Sequence, residues 1–185
     1  MRYPWQRVGV LVDVQNMYYS ARALYSSYVN FGNLLRESTA DRQLIRAFAY
    51  VVRADIPKQK EFFTALEATG YELRVKDLQE FPGGMKKGNW DVGIAVDAIG
   101  LSNKLDVVVL VTGDGDFVDL VEFLQNQGVL VEVAGFGRST SGKLKEAADQ
   151  FIDLERDTDK FLLKSIDRKT EVRAQKTEEA EKQHP

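Results

Sequence analysis

The sequence predicts an α/β fold with a central, mainly parallel sheet of about five to six strands. Two observations predict it. Short apolar runs alternate with amphipathic stretches along the chain, as in successive βαβ units. Several aspartates also stand directly beside these runs, at positions typical of the carboxyl edge of a parallel sheet.

Strands are predicted where apolar residues run together or alternate. Residues 8–12 are nearly all apolar, which is typical of a parallel strand buried on both faces. The strongest strand has an unbroken apolar run from Val107 to Val111, whereas 71–76 alternates. The predicted strands are 8–12, 43–53, 71–76, 106–112, 129–134 and a short 151–154.

Helices are predicted between these strands from amphipathic spacing and from residues that start or stop helices. Pro57 suits the first turn of a helix that Gly70 ends, and Gly128 stops another. The predicted helices are 15–25, 33–37, 56–70, 91–101, 116–127 and 143–148. Residues 80–89, rich in Gly, are predicted to form a loop.

The composition excludes several kinds of chemistry. The chain has 185 residues, no Cys and a single His, His184, next to its last residue. Disulfides, a Cys nucleophile, a thiolate zinc site and an iron–sulfur cluster are therefore excluded, and a Ser-His-Asp triad is disfavoured. The net charge of −3 argues against a histone-like binder of nucleic acid.

Length and charge pattern predict one main domain over residues 1–156. Residues 157–185 hold equal numbers of acidic and basic residues and few apolar ones, which predicts a charged extension, helical or disordered. No apolar run is long enough for a membrane span, and the start resembles no signal peptide. We therefore expect a cytoplasmic protein without a membrane partner.

Four aspartates are predicted to meet at the carboxyl edge of the sheet. Asp13 follows the first strand, and Asp114 and Asp116 follow the fourth. If these two strands are neighbours at the switch in strand order, their carboxylates converge. Asp91 opens the helix that leads into the fourth strand, so it belongs to the same edge. Helix capping alone is the competing interpretation for Asp91 and Asp116.

Carboxylates gathered in one place repel each other, by about 4 kcal/mol for a pair about 4 Å apart. A hard divalent cation with oxygen ligands relieves this repulsion, so the pattern predicts a metal site. Asn16 and Thr112 are candidate supporting oxygen donors. Asp97 lies about 240° around the helix from Asp91 and about two turns deeper, so its place in the site stays open.

Three segments resemble motifs of the NYN domains, a branch of the PIN-like nucleases. Residues 11–16 (Leu-Val-Asp-Val-Gln-Asn) resemble the family's Asp-x-x-Asn motif. Residues 87–91, with Asp97 downstream, resemble its Lys-Gly-x-Asp helix. Residues 111–117 resemble its Ser-Gly-Asp-x-Asp-Phe motif, with Thr112 in place of Ser. Among NYN proteins the chain looks similar to the LabA-like group.

This resemblance implies a PIN-like three-layer α/β/α sandwich, a Mg²⁺ or Mn²⁺ site and single-stranded RNA as the substrate. The residues that it assigns to catalysis and metal binding are Asp13, Asp91, Asp114 and Asp116, and those with supporting roles are Asn16, Asp97 and Thr112. The expected reaction is hydrolysis of a phosphodiester by a water that the metal activates, which requires no His.

Basic residues near the acidic edge are candidates for RNA binding. Lys86 and Lys87 stand in the Gly-rich loop before Asp91, where a solvated surface loop is the competing interpretation. Arg53 follows the second predicted strand and Arg138 the fifth, so both are expected at the same edge. Contacts from these residues to phosphate would make RNA binding depend on salt.

A second function stays open at this point. The resemblance to LabA-like proteins also allows a non-catalytic regulator that binds RNA or protein. The sequence does not decide between RNA and DNA, between endonuclease and exonuclease action, or whether the chain forms a homodimer. A phosphatase of the haloacid dehalogenase type is disfavoured, because Gln15 stands where that family needs a second Asp after Asp13.

Overall fold

A computed structural model describes residues 2–54, 59–80, 86, 87 and 89–163. The strands are β1 (Arg7–Asp13), β2 (Gln43–Arg53), β3 (Glu72–Asp77), β4 (Gln79–Glu80), β5 (Lys86–Lys87), β6 (Val107–Val111), β7 (Leu130–Gly135) and β8 (Gln150–Asp153). The helices are α1 (Val14–Tyr25), α2 (Phe31–Thr39), α3 (Gln59–Thr69), α4 (Asp91–Leu101), α5 (Val118–Asn126), α6 (Gly142–Ala147) and α7 (Thr158–Phe161).

Six strands form one parallel sheet in the order β3-β2-β1-β6-β7-β8. The strand order reverses between β1 and β6, which pair directly, with Val12 opposite Val111. This confirms the predicted α/β class, the predicted number of strands, and the adjacency on which the convergence of the aspartates depended.

Helices cover both faces of the sheet, because its strands are apolar on both sides. Val10 and Leu11 are adjacent in β1, lie in different core clusters and are both buried. The first cluster takes Met17, Leu34 and Leu66 from α1, α2 and α3. The second takes Ile94, Val121 and Leu144 from α4, α5 and α6. The molecule is therefore the expected three-layer α/β/α sandwich.

Local differences from the prediction occur where the chain forms short or irregular elements. The predicted loop 80–89 is partly wrong, since Glu80 pairs with Lys86 in the antiparallel ladder of β4 and β5. The helix predicted from 116 begins instead with a 3-10 turn, Gly115–Phe117, before α5. The predicted start of the third helix, at 56–58, lies outside the described residues.

The end of the described chain packs against the sandwich. Phe161 of α7 is buried, and its carbonyl oxygen accepts a hydrogen bond from Asn30 N (2.8 Å). Leu163 N donates to Tyr28 O (2.8 Å). Residues 164–185 lie outside the described part, so the domain boundary at 156 and the character of the extension stay predictions. Within the described residues, no helix has the length and apolarity that a bilayer crossing requires.

Candidate active site

The site is built at the point where the strand order reverses. α1 follows β1 onto one face of the sheet, and α5 follows β6 onto the other. Diverging connections of this kind leave a crevice at the carboxyl ends of the two strands, which is where parallel α/β folds bind ligands. Asp13 ends β1 in this crevice. It also caps α1, because its Oδ1 accepts a hydrogen bond from Asn16 N (3.0 Å).

The opposite wall of the crevice is the tight turn after β6. Thr112 Oγ1 accepts a hydrogen bond from Asp114 N (3.2 Å), and Asp114 Oδ1 accepts one from Asp116 N (3.0 Å). Gly113 is required here, since a Cβ at this position would lie 2.7 Å from Ser139 O. Thr112 is thus occupied in shaping the turn, and Asp114 is partly exposed toward the crevice.

Asp91 reaches the same edge as the first residue of α4. Asn89 Nδ2 donates to Asp91 Oδ2 (2.7 Å), and Trp90 Nε1 donates to Val51 O (2.9 Å), which anchors the start of α4 to β2. The N-cap position of α4 is taken by Trp90, whose side chain makes no capping bond, and Asp91 is the acidic residue of the first turn. Asp91 is therefore one residue past the cap position, and its carboxyl also accepts a backbone hydrogen bond at the start of the helix.

Electrostatics links the four predicted aspartates. Burial, helped by the negative charges of Asp91 and Asp114, raises the pKa of Asp13 to about 6, against the opposing effect of the bond from Asn16 N. Burial also raises the pKa of Asp91, and the charges of Asp114 and Asp116 add to this effect. The carboxylates are thus close enough to repel each other, as the sequence predicted for this edge.

This donor set fits a hard divalent cation in its chemistry. Carboxylate oxygens are the ligands that Mg²⁺ and Mn²⁺ prefer, and a cation among them relieves the charge repulsion that adds to the effect of burial on the pKa of Asp13. The structure does not, however, show a complete set of metal ligands. In the part of the chain that the structure describes, no three acidic or imidazole side chains approach one another closely enough to hold an ion.

The Asp97 side chain binds residues outside the crevice, unlike the other predicted acidic site residues. Its Oδ2 accepts hydrogen bonds from Tyr50 Oη and from Arg74 Nε, both at 3.0 Å. Burial, together with the charge of Asp97, raises the pKa of Tyr50. Asp97 therefore fixes α4 to β2 and β3, and the structure does not bring it together with Asp13.

The predicted RNA-binding arginines lie at the carboxyl edge but are engaged by acidic neighbours. Arg53 Nη1 is 3.4 Å from Asp77 Oδ1, and both side chains are exposed. Arg138 Nε donates to Glu155 Oε1 (2.7 Å). The placement of the side chains of Lys86 and Lys87 lies outside what the structure describes, so their role stays a prediction.

Lys76 is a basic residue that the sequence analysis missed. It lies near the end of β3 with its Nζ 4.1 Å from the centre of the Trp90 ring and 3.3 Å from Asn89 O. Its charge partly offsets the rise in the pKa of Asp91 that burial and the neighbouring aspartates cause. The signal was available, because Lys76 ends the alternating strand 71–76 and the end of a parallel strand belongs to the same edge.

The fold and site define a class: a doubly wound α/β domain with acidic residues at its topological switch point. The family follows from comparison, since the NYN domain model matches residues 7–155. The chain belongs to the NYN domain family, a branch of the PIN-like nuclease superfamily, and to its LabA-like group. The resemblance drawn from the three motifs is thereby confirmed.

The chain is also similar to a curated protein and to a protein of known structure. The low amplitude and bright protein LabA of Synechococcus elongatus is 27% identical over 162 residues, which cover 83% of this chain and 87% of LabA. The crystal structure of a protein of unknown function from Vibrio parahaemolyticus is 38% identical, with a TM-score of 0.80. That match covers 88% of this chain and all of the Vibrio chain.

Proposed function

We propose that this protein is a ribonuclease that hydrolyses phosphodiester bonds of single-stranded RNA with Mg²⁺ or Mn²⁺. The observation that carries the proposal is the position of Asp13 together with its raised pKa. This carboxyl group stands at the switch-point crevice, with its pKa raised to about 6 by burial and by Asp91 and Asp114. A repulsive arrangement of this kind is costly to the fold and is typical of a functional site.

Each acidic residue has a role in this proposal. Asp13 and Asp114 hold the cation from the two strands that flank the crevice, and Asp91 and Asp116 support it from the rim. When bound, a divalent cation supplies acidification of water and neutralisation of charge on the phosphate. Asn16 fixes the distance between the two walls, because its Oδ1 accepts a hydrogen bond from Gly113 N (2.9 Å).

Lys76 supplies the positive charge that an acidic site needs to attract a phosphate backbone. Its Nζ is held beside Asp91 by Asn89 O and by the Trp90 ring. A cation–π contact is weaker than a charge-assisted hydrogen bond to phosphate, so the Lys76 ammonium can leave the Trp90 ring and bind a phosphate oxygen instead. Arg53 and Arg138 can bind phosphate, as predicted, only after their ion pairs with Asp77 and Glu155 break.

The direct test is incubation of the purified protein with labelled single-stranded RNA and Mn²⁺. Asp114→Asn should lose cleavage while its side-chain oxygen still accepts the bond from Asp116 N, so the turn is kept. Asp41→Asn is the matched control, because Asp41 is exposed and Asn tolerates its backbone φ of 62°. Equal cleavage by wild type and Asp114→Asn would refute the proposal, and cleavage of DNA alone would correct its substrate.

A non-catalytic regulator of the LabA-like type is the second candidate. The specific observation in its favour is that, over the described residues, the acidic side chains do not form a complete ligand cage. Such a protein would bind RNA or protein with this fold and leave it intact. RNA binding without cleavage across many sequences, at saturating Mn²⁺, would favour this function over the nuclease.

A further inference from the structure

The β3 end of one sheet face is charged rather than apolar. Side chains alternate between the two faces of a strand, and Leu73 and Val75 of β3 pack against the first core cluster. The other face of β3 therefore holds Glu72, Arg74 and Lys76, of which Glu72 and Lys76 are exposed. Among the described residues, the second core cluster, under α4, α5 and α6, includes none from β3.

Arg46 of β2 belongs to the same charged surface. It alternates with Phe48 and Tyr50, which lie in the second core cluster. The Cζ atom of Arg46 lies 5.0 Å from the centre of the Phe48 ring, and that of Arg74 lies 4.3 Å from the same centre. Cation–π contacts thus hold both arginines at one ring. We call Arg46, Arg74 and Lys76 the basic row.

The basic row leads to the crevice. Tyr50 pairs with Asp13 in the sheet, so Arg46, four residues earlier in β2, lies about 13 Å from that level toward the amino edge. Arg74 pairs with Tyr50, and Lys76 is two residues, about 6.6 Å, further along β3. The three cations therefore extend toward the carboxyl edge, where the last of them stands beside the acidic site.

The two arginines keep donors that can bind an anion. A guanidinium has five N–H donors. Arg46 donates from Nε and Nη2 to Glu72 (2.6 Å from Nη2 to Oε2), and Arg74 donates from Nε to Asp97 (3.0 Å). Over the described residues, Arg46 Nη1 and both Nη groups of Arg74 donate to no protein acceptor. The carboxylates thus orient the arginines and leave N–H groups for a phosphate.

We propose that the basic row binds the phosphate backbone of the single-stranded RNA that enters the crevice, a few nucleotides from the bond that is cut. This inference rests on the proposed function, because it extends the substrate site of the ribonuclease. Guanidinium groups match phosphate in geometry and charge, and the row sets three cations against the two carboxylates of Glu72 and Asp97. Its continuity with the acidic crevice favours the substrate over an acidic protein surface as the occupant.

Fluorescence anisotropy with labelled single-stranded RNA of about 15 nucleotides tests the proposal, with Ca²⁺ in place of Mn²⁺. Arg46→Gln should weaken binding and lower the slope of log K against log salt by about 0.7. Glu72→Gln should strengthen binding, because it removes a negative charge and frees two donors of Arg46. Arg36→Gln is the matched control, since exposed Arg36 lies on α2, which packs on the opposite face.

The opposite signs of the two expected shifts keep the test sharp, because a folding defect weakens binding in both variants. Equal affinities and salt slopes in wild type, Arg46→Gln and Glu72→Gln would overturn the inference, even if the protein cuts RNA, and would favour an acidic protein partner. Wild type that does not bind this RNA at all would overturn it as well.

A short substrate separates this inference from the proposed function. A dinucleotide occupies the crevice without reaching Arg46, so Arg46→Gln should raise KM for the longer RNA and leave kcat/KM for the dinucleotide unchanged. Opposite shifts in RNA binding without cleavage by wild type would support the basic row and refute the nuclease. Equal losses of kcat/KM on both substrates would show that Arg46 acts on the crevice itself and would overturn the inference.

Discussion

Asn16 and Gly113 connect the two strands that border the crevice: Asn16 Oδ1 accepts a 2.9 Å hydrogen bond from Gly113 N. The same Asn donates its backbone N–H to Asp13 Oδ1 (3.0 Å). One residue thus joins the carboxylate at the end of β1 to the turn that carries Asp114. This connection gives a structural reason for the Asn of the Asp-x-x-Asn motif.

Asn16→Ala should destabilise the protein by about 1–3 kcal/mol, because it leaves the Gly113 N–H without its partner in a buried position. Urea unfolding measures the change. Asn16→Asp is the informative comparison, since it keeps an acceptor oxygen for Gly113 and adds a negative charge beside Asp13. A change below about 0.5 kcal/mol for Asn16→Ala would show that the bond does not stabilise the crevice.

Asp13→Asn should stabilise the metal-free protein at neutral pH. The pKa of Asp13 is raised to about 6 in the fold, so the folded state binds this proton more tightly than the unfolded chain does. Stability from this group is therefore full below about pH 4 and is lost as pH rises to about 6. Asparagine removes the charge and, as a good cap residue, keeps an acceptor for Asn16 N.

Urea unfolding at pH 4 and pH 7.5 measures this effect in the presence of EDTA. The advantage of Asp13→Asn over wild type should reach about 3 kcal/mol at pH 7.5 and nearly vanish at pH 4. Asp41→Asn provides the control for a change of one exposed carboxylate. An advantage that is equal at both pH values would contradict the raised pKa.

Mn²⁺ should stabilise wild type against heat, and EDTA should reverse this. A ligand at about one hundred times its dissociation constant adds about 2.7 kcal/mol, which corresponds to a rise in Tm of about 5–10 °C for a chain of this size. Asp13→Asn and Asp114→Asn should lose most of the rise, whereas Asp41→Asn should keep it. An equal rise in all four proteins would place the metal elsewhere.

Lys76→Gln should weaken binding of single-stranded RNA and flatten its salt dependence. Loss of one phosphate contact lowers the slope of log K against log salt by about 0.7. Fluorescence anisotropy at several salt concentrations, with Ca²⁺ in place of Mn²⁺, separates binding from cleavage. Lys104→Gln is the matched control, because exposed Lys104 follows α4 and lies toward the amino edge of the sheet. Equal slopes would exclude a phosphate contact at Lys76.

Most of the fold was predictable, because its signals are local. Buried parallel strands need continuous apolar runs, and Val107–Val111 is such a run. The predicted α4 agrees with the observed Asp91–Leu101 at both ends. The β4–β5 ladder was missed because two-residue strands carry no detectable periodicity.

Side-chain partners in the site were less predictable. Asp97 belongs to the same motif as Asp91, yet its carboxyl is bound by Tyr50 of β2 and Arg74 of β3, whose side chains reach α4. Arg138 and Glu155 are 17 residues apart and meet only because β7 and β8 are adjacent. These pairings depend on strand order and helix orientation, which a single sequence does not encode locally.

The sequence by itself determined the kinds of residue at the strand ends, the absence of thiol chemistry, and the family that the motifs indicate. The tertiary structure decided which of these residues meet. Because β1 and β6 are adjacent, Asp13 lies close enough to Asp114 for their charges to interact. Asp97, on α4, binds Arg74 instead. The physical reason is range: strand and helix signals are local, whereas charge repulsion and burial depend on distances that only the folded chain sets.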